Sequence, residues 1–224
     1  MAHDGQLNVE APALLDDLLA LTAAAVAPVE AILARATDTV RATVTDNGRV
    51  SNALVEANQT AAHGLAWLAT YAQALRKMQS WAEALQKDGK FGETEALIHQ
   101  IAFGEYLWQI YGGIQMNQGE VVRLQDLGLG QEDQRGLMSP AIMALTQGGN
   151  TQSARRRLVE LMQENSANVT VGVSGLDDEL EMIREQFRRY AVEKVEPFAH
   201  EWHLKDELIP LEIIDELAEM GVFG

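Results

Sequence analysis

Four groups of side chains have types and spacings that could do chemistry. Glu196, His200 and His203 fall at helical steps, and two imidazoles beside a carboxylate could form one side of a metal site. Pro197 disturbs the helix that would carry them, and no fourth ligand is evident, so a structural role is the better reading. Glu95 and His99 stand four apart on one face. A di-iron bundle would need Glu-x-x-His twice, with further inward carboxylates. The spacing here differs and the pair occurs once, so an exposed ion pair worth a few tenths of a kcal/mol is expected. His63, Trp67 and Tyr71 share a face, as do Trp108 and Tyr111. An aromatic-lined pocket could hold an acyl chain or adenine, although aromatics at helical spacing more often fill a core. Gln115, Asn117, Gln118 and Glu120 gather where a helix should end. They either cap that helix or make a polar contact with another body, and the residues do not choose between these. Ser139 and Ser174 have no credible base partner, and neither G-x-G-x-x-G nor a P-loop occurs. No catalytic, cofactor-binding or metal-ligating residue is assigned.

The elements that must position these groups are helices. Apolar residues recur at steps of three and four, and strand alternation is nearly absent, so the expected fold class is all-α. The first helix is expected over about 13–45, kinked at Pro28, with a turn at Asn47-Gly48. The second, over about 51–87, starts at an N-cap Ser51 and ends near Gly89. It carries two adjacent apolar stripes, which predicts packing on two sides of a bundle. The third is expected over about 93–118. Gly104, Gly112 and Gly113 would weaken it unless they allow a neighbouring backbone to approach or the helix to bend. Residues 126–139 read as a loop, followed by short helices over 140–146 and 153–164. The small, β-branched stretch NSANVTVGVSG reads as a linker. The organisation expected is a helical bundle over 1–165, a linker at 166–175 and a second helical unit over 176–224.

In that last part, a helix over 177–202 begins with Asp177, Asp178 and Glu179, which complement its dipole. Pro197 must kink or break it near Glu193. A final helix starts around Pro210, buries Ile213, Ile214, Leu217 and Met220, and ends on Gly221 as a left-handed cap before Val222.

The net charge is −16 over 224 residues, and 175–224 carries 14 acidic against 5 basic residues. Such a chain repels phosphates and anionic lipid, so neither nucleic acid nor membrane is an expected partner. The apolar run 18–29 is too short to span a bilayer. The polar, acidic start shows no signal peptide. The chain has no cysteine, which fits a reducing compartment, and the expected location is cytoplasmic.

The string QFRRYAVEKVEPFAHEWHLKDELIPLEIIDELAEMGVFG resembles the N-terminal helical entry of acyl-CoA dehydrogenases. The matches are Glu196-Pro197, Glu201-Trp202, Pro210 and the closing LAEMGVFG over Leu217 to Gly224. The resemblance covers about fifty residues, and the order and spacing of the matches carry it. The preceding text, with HGLAWLATYAQALRKM and IAFGEYLWQIYGGIQMNQGE, is similar to the leader of one branch, the (2S)-methylsuccinyl-CoA dehydrogenases.

This resemblance implies a fragment, or one chain of a split enzyme, that precedes the family's β-domain and C-terminal bundle. It implies FAD in the full-length enzyme and none on this chain alone. The implied partners are the remainder of the dehydrogenase, further copies in a homo-oligomer, and electron-transferring flavoprotein. The implied reaction is oxidation of (2S)-methylsuccinyl-CoA to mesaconyl-CoA in the ethylmalonyl-CoA pathway. The rival reading is a non-enzymatic helical adaptor whose final resemblance is fortuitous.

Overall fold

A computed structural model describes residues 12–165 and 171–223. The start read for a signal peptide, residues 166–170 of the expected linker and Gly224 lie outside the described residues. The chain divides into two compact units, 1–173 and 174–224.

Unit 1 is built on three long helices, α1 (Leu18–Val44), α3 (Gln59–Lys87) and α4 (Glu93–Gly112), and the shorter α6 (Pro140–Gly148). They meet in a ring, α1 on α3, α3 on α4, α4 on α6 and α6 on α1. The apolar steps of the sequence become its core, with Ala25, Val29, Ile32 and Ala36 facing Leu68, Leu75, Phe103, Leu107, Ile142 and Leu145. Helix α1 is long and apolar enough to cross a membrane by length and composition, beyond the shorter run noticed in the sequence. Its apolar stripe lies in the core cluster.

Several boundaries differ from expectation. Helix α1 starts at Leu18 rather than near 13, and it runs on through Pro28 as a single helix, as expected. The carbonyl that Pro28 cannot serve belongs to Ala24, on the exposed side, where water can take it. Asn47 and Gly48 do form a turn, both at positive φ, but it closes a short hairpin of β1 (Thr45–Asp46) and β2 (Arg49–Val50). Ser51 caps as expected, accepting from the Leu54 N–H, yet the helix is divided into α2 (Asn52–Ala57) and α3 at Asn58. The Asn58 side chain donates to the Leu54 carbonyl and so ends α2.

The third helix stops at Gly112 rather than near 118. Gly113 sits at φ 135, a conformation only glycine takes readily, and turns the chain into a second hairpin. Its strands are β3 (Ile114–Asn117) and β4 (Glu120–Val122). The expected loop at 126–139 contains a 3₁₀ turn (Leu124–Leu127) and α5 (Gln131–Gly136), whose capping carboxylates, Asp126 and Asp133, each accept a backbone N–H three residues back. Helices α6 and α7 (Gln152–Glu164) begin at Ser139 and Thr151, whose hydroxyls accept N–H bonds from Ile142 and Ala154.

Unit 2 contains α8 (Asp178–Tyr190), a π-helical turn (Ala191–Val195), α9 (Glu196–Lys205) and α10 (Leu211–Glu219). Asp177 caps α8, accepting from the Leu180 N–H at 2.9 Å. The break forced by Pro197 takes the form of the π turn just ahead of it, in which the Glu196 N–H reaches back to the Ala191 carbonyl. Gly221 ends α10 at φ 82, and the Val222 N–H reaches the Leu217 carbonyl, as the sequence implied. Tyr190 donates to the Ile213 carbonyl at 3.4 Å, and Lys194 pairs with Glu216 at 3.1 Å. The Lys194 ammonium and the Tyr190 hydroxyl hold the Glu216 carboxyl below the usual range. None of the described residues of unit 2 is buried, so Ile213, Ile214, Leu217 and Met220 are only partly covered or exposed.

Candidate functional site

The strongest correction concerns Glu95 and His99. They share a face of α4, but that face is the inside: Glu95 is 5% exposed and His99 is fully buried. They do not pair with each other. Glu95 Oε2 accepts the Gly92 N–H at 3.0 Å, and Oε1 accepts the Val173 N–H at 2.8 Å. His99 Nε2 lies 3.0 Å from Thr22 Oγ1 on α1. Thr22 can spend its single hydroxyl proton on the Leu18 carbonyl at 3.0 Å, so the bridging proton belongs to His99 Nε2. Nδ1 is then bare, and it has no partner among the described residues. Trp81, Phe91 and Phe103 surround the ring, the last with centroids 4.7 Å apart. Burial in this apolar cage lowers the imidazole pKa to about 4. An i,i+4 Glu–His pair reads identically whether its face is wet or dry, and only packing distinguishes them. Gly92 followed three residues later by Glu95 was the sequence signal of a helix start that holds the carboxylate inward.

A second buried tie is Gln100, also on α4. Its Oε1 accepts the Leu15 N–H at 2.7 Å, and its Nε2 donates to the carbonyls of Ala13 and Gly149. One amide thus joins the chain before α1, helix α4 and the end of α6. Nearby, Tyr71 donates to Gln109, Gln109 to Glu105, and Asn150 to Glu105, all at 2.6–2.8 Å. Burial and the neighbouring Tyr106 and Glu105 raise the Tyr71 hydroxyl above its ordinary pKa, which suits a donor. These networks fix helix register.

The aromatic groups are placed as follows. Trp67 donates to His63 Nε2 at 3.0 Å and meets Tyr71 edge-on, while Tyr71 stacks on Tyr106 at 4.6 Å. This run is packed ring on ring, and its His63 borders an open hollow of about 370 Å³ with Gln59, Thr60 and Glu120. Trp108 and Tyr111 do border a groove, completed by Met138, Ile142, Met143 and Thr146, of about 140 Å³. Pockets that enclose a small molecule run to roughly 300–1,000 Å³, so the groove is shallow by that measure. Of the polar cluster, Asn117 bonds Glu120 and the Gly119 N–H, which fixes the β3–β4 turn rather than the end of a helix. Gln115 and Gln118 are exposed on the same hairpin. Glu196, His200 and His203 lie exposed along α9. Among the described residues no three His, Asp or Glu side chains are grouped to hold a metal. Ser139 is an N-cap, and the Ser174 hydroxyl accepts the Leu176 N–H.

In unit 2 none of the described residues is buried, and the hollow beside Arg188, Arg189 and Val192 is an open surface of about 200 Å³.

Comparison with known proteins gives two findings. Residues 177–224 match the family described as "Acyl-CoA dehydrogenase, N-terminal domain". The chain is also 54% identical over 211 residues to a (2S)-methylsuccinyl-CoA dehydrogenase of Cereibacter sphaeroides. That alignment takes in 94% of this chain and 38% of the relative, so the chain spans well under half of the relative's length. The chain is therefore similar to the N-terminal part of an acyl-CoA dehydrogenase through the helical bundle as well as the final helices. A fortuitous likeness confined to the end of the chain is ruled out.

Proposed function

We propose that this chain is the N-terminal portion of an FAD-dependent acyl-CoA dehydrogenase that oxidises (2S)-methylsuccinyl-CoA to mesaconyl-CoA, in the ethylmalonyl-CoA pathway. The single observation that carries this reading is the identity running through the bundle of unit 1. The helical entry alone would suit any member of the family; the bundle points to one branch. In this reading, 1–165 is an accessory domain, 166–175 a linker and 176–224 the start of the dehydrogenase N-terminal domain. The reaction removes two hydrogens across the Cα–Cβ bond of the thioester, and no described residue is given a part in it.

The unburied faces of unit 2 support the same reading. Leu204, Leu208 and Leu211 are 70%, 91% and 74% exposed. Apolar surface of this extent marks an interface, and the dehydrogenase body is the partner proposed for it. Homo-oligomerisation, electron transfer to electron-transferring flavoprotein and a cytoplasmic location complete the proposal.

The test is to express the chain together with the reading frame that follows it and to assay acyl-CoA thioesters with an artificial electron acceptor. (2S)-Methylsuccinyl-CoA is expected to be turned over to mesaconyl-CoA in preference to straight-chain thioesters. Oxidation of straight-chain thioesters alone would overturn the substrate, and oxidation of none would overturn the enzyme. The 224-residue chain by itself is expected to purify without visible flavin absorbance, and a stoichiometric yellow flavin on it would place the FAD site wrongly.

A further inference from the structure

We propose that the α3–α4 face of unit 1 carries a strap site, built by the buried Glu95 carboxylate and the Trp81 indole, that binds the bent segment Val171–Val173. The chain then passes to Ser174 from a fixed point of unit 1 rather than from a free tether. This goes beyond the proposed activity and does not depend on it.

Both hydrogen-bonding groups of one peptide residue are held. The Val173 N–H donates to Glu95 Oε1 at 2.8 Å, and the Val173 carbonyl accepts from Trp81 Nε1 at 3.3 Å. The two side chains come from different helices, α4 and α3, so the strap crosses the seam between them. Glu95 is 5% exposed, which makes its bond to Val173 charge-assisted and poorly hydrated, the stronger kind. The carboxylate sits in the first turn of α4, where the helix dipole favours negative charge. Its other oxygen is committed to Gly92, so the oxygen facing the strap is fixed in place.

The strap residue before the clamp is shaped for this site. Gly172 adopts φ +81, and a Cβ there would stand 3.2 Å from Glu95 Oε1 and 3.3 Å from Ile98 Cδ1. Any larger residue would strain the backbone and push against the carboxylate that must receive the next N–H. The Val171 and Val173 side chains remain about 40% exposed, so what the site recognises is the backbone of a Val-Gly-Val stretch. Residues inside a stretch whose composition reads as linker are thus bound to the bundle.

Hydrogen exchange on the whole chain, read at the Val173 amide, tests the site. In the parent protein that amide is expected to be protected. Glu95→Gln is expected to lower its protection about tenfold or more, the scale of one charge-assisted bond, and Trp81→Phe and Gly172→Ala by about threefold or more, the scale of a neutral one. Protease cleavage within 171–176 should rise in step, while the amides of Phe103 and Leu107 keep the parent's protection. Trp81→Phe and Gly172→Ala leave the Glu95–Gly92 cap in place, so they decide the matter if Glu95→Gln loosens α4 as a whole. Exchange of Val173 at the free-peptide rate in the parent, or at the parent's rate in Trp81→Phe and Gly172→Ala, would overturn the proposal.

Discussion

Unit 1 is expected to lose about 2–3 kcal/mol of stability as the pH falls from about 7.5 to about 4.5, through His99 alone. The unfolded imidazole takes a proton near pH 6.5, whereas burial lowers the folded one to about 4. Between those values the unfolded chain binds a proton that the folded chain refuses. Stability is therefore complete above about 6.5 and is lost as the pH drops toward 4. The cause is local: a second N–H, on Nδ1, would have no acceptor among the described residues, and the cage of Trp81, Phe91 and Phe103 strips the charge of water without supplying a counter-charge. The measurement is urea unfolding of the parent and of His99→Gln, which keeps a donor for Thr22 and does not titrate. Carboxylates such as Glu93, held low by Arg157, contribute equally to both proteins and cancel in the difference. Parallel stability curves from neutral to acid pH would show that His99 is not the group responsible.

Gly104→Ala is expected to destabilise unit 1 by about 1–2 kcal/mol, although alanine favours a helix over glycine by roughly 1 kcal/mol. A Cβ at Gly104 would stand 2.8 Å from the Asn150 nitrogen, 2.9 Å from the Leu145 carbonyl and 3.0 Å from the Gly149 Cα. These are backbone atoms at the end of α6, and they cannot turn aside as a side chain would. Gly149 returns the constraint, since its own Cβ would meet the Gln100 carbonyl at 2.9 Å and the Gly104 Cα at 3.0 Å. Two glycines therefore set how closely α4 and α6 approach, and Gln100 bonds across the same contact. Gly104→Val should cost more, by further overpacking. The control is Gly112→Ala, at the open end of the same helix, where an added Cβ meets nothing within 4 Å. That substitution should be neutral or stabilising by a few tenths of a kcal/mol. Thermal melts of the three variants check this, and a Gly104→Ala protein as stable as Gly112→Ala would remove the close approach from the account.

The close approach at Gly104 was one of two uses the sequence allowed for that glycine, and packing selected it. The same division runs through the molecule. The sequence by itself determined what depends on neighbours along the chain: the helical period, the caps at Ser51 and Gly221, the acidic helix start at Asp177, the Asn47-Gly48 turn and the break ahead of Pro197. It also carried the likeness to acyl-CoA dehydrogenases, because that likeness lies in the order and spacing of residues. What it could not decide was which faces meet. Gly113 was read as a close approach or a bend inside a longer helix, and it instead ends α4, where the hairpin with β4 gives the chain a partner strand. Glu95 and His99 could be an exposed pair or two separate buried anchors. The tertiary structure chose the second, because α1, α3 and the Val171–Val173 strap close over that side of α4, and the energy of a charge or an imidazole depends on what covers it rather than on its spacing in the chain.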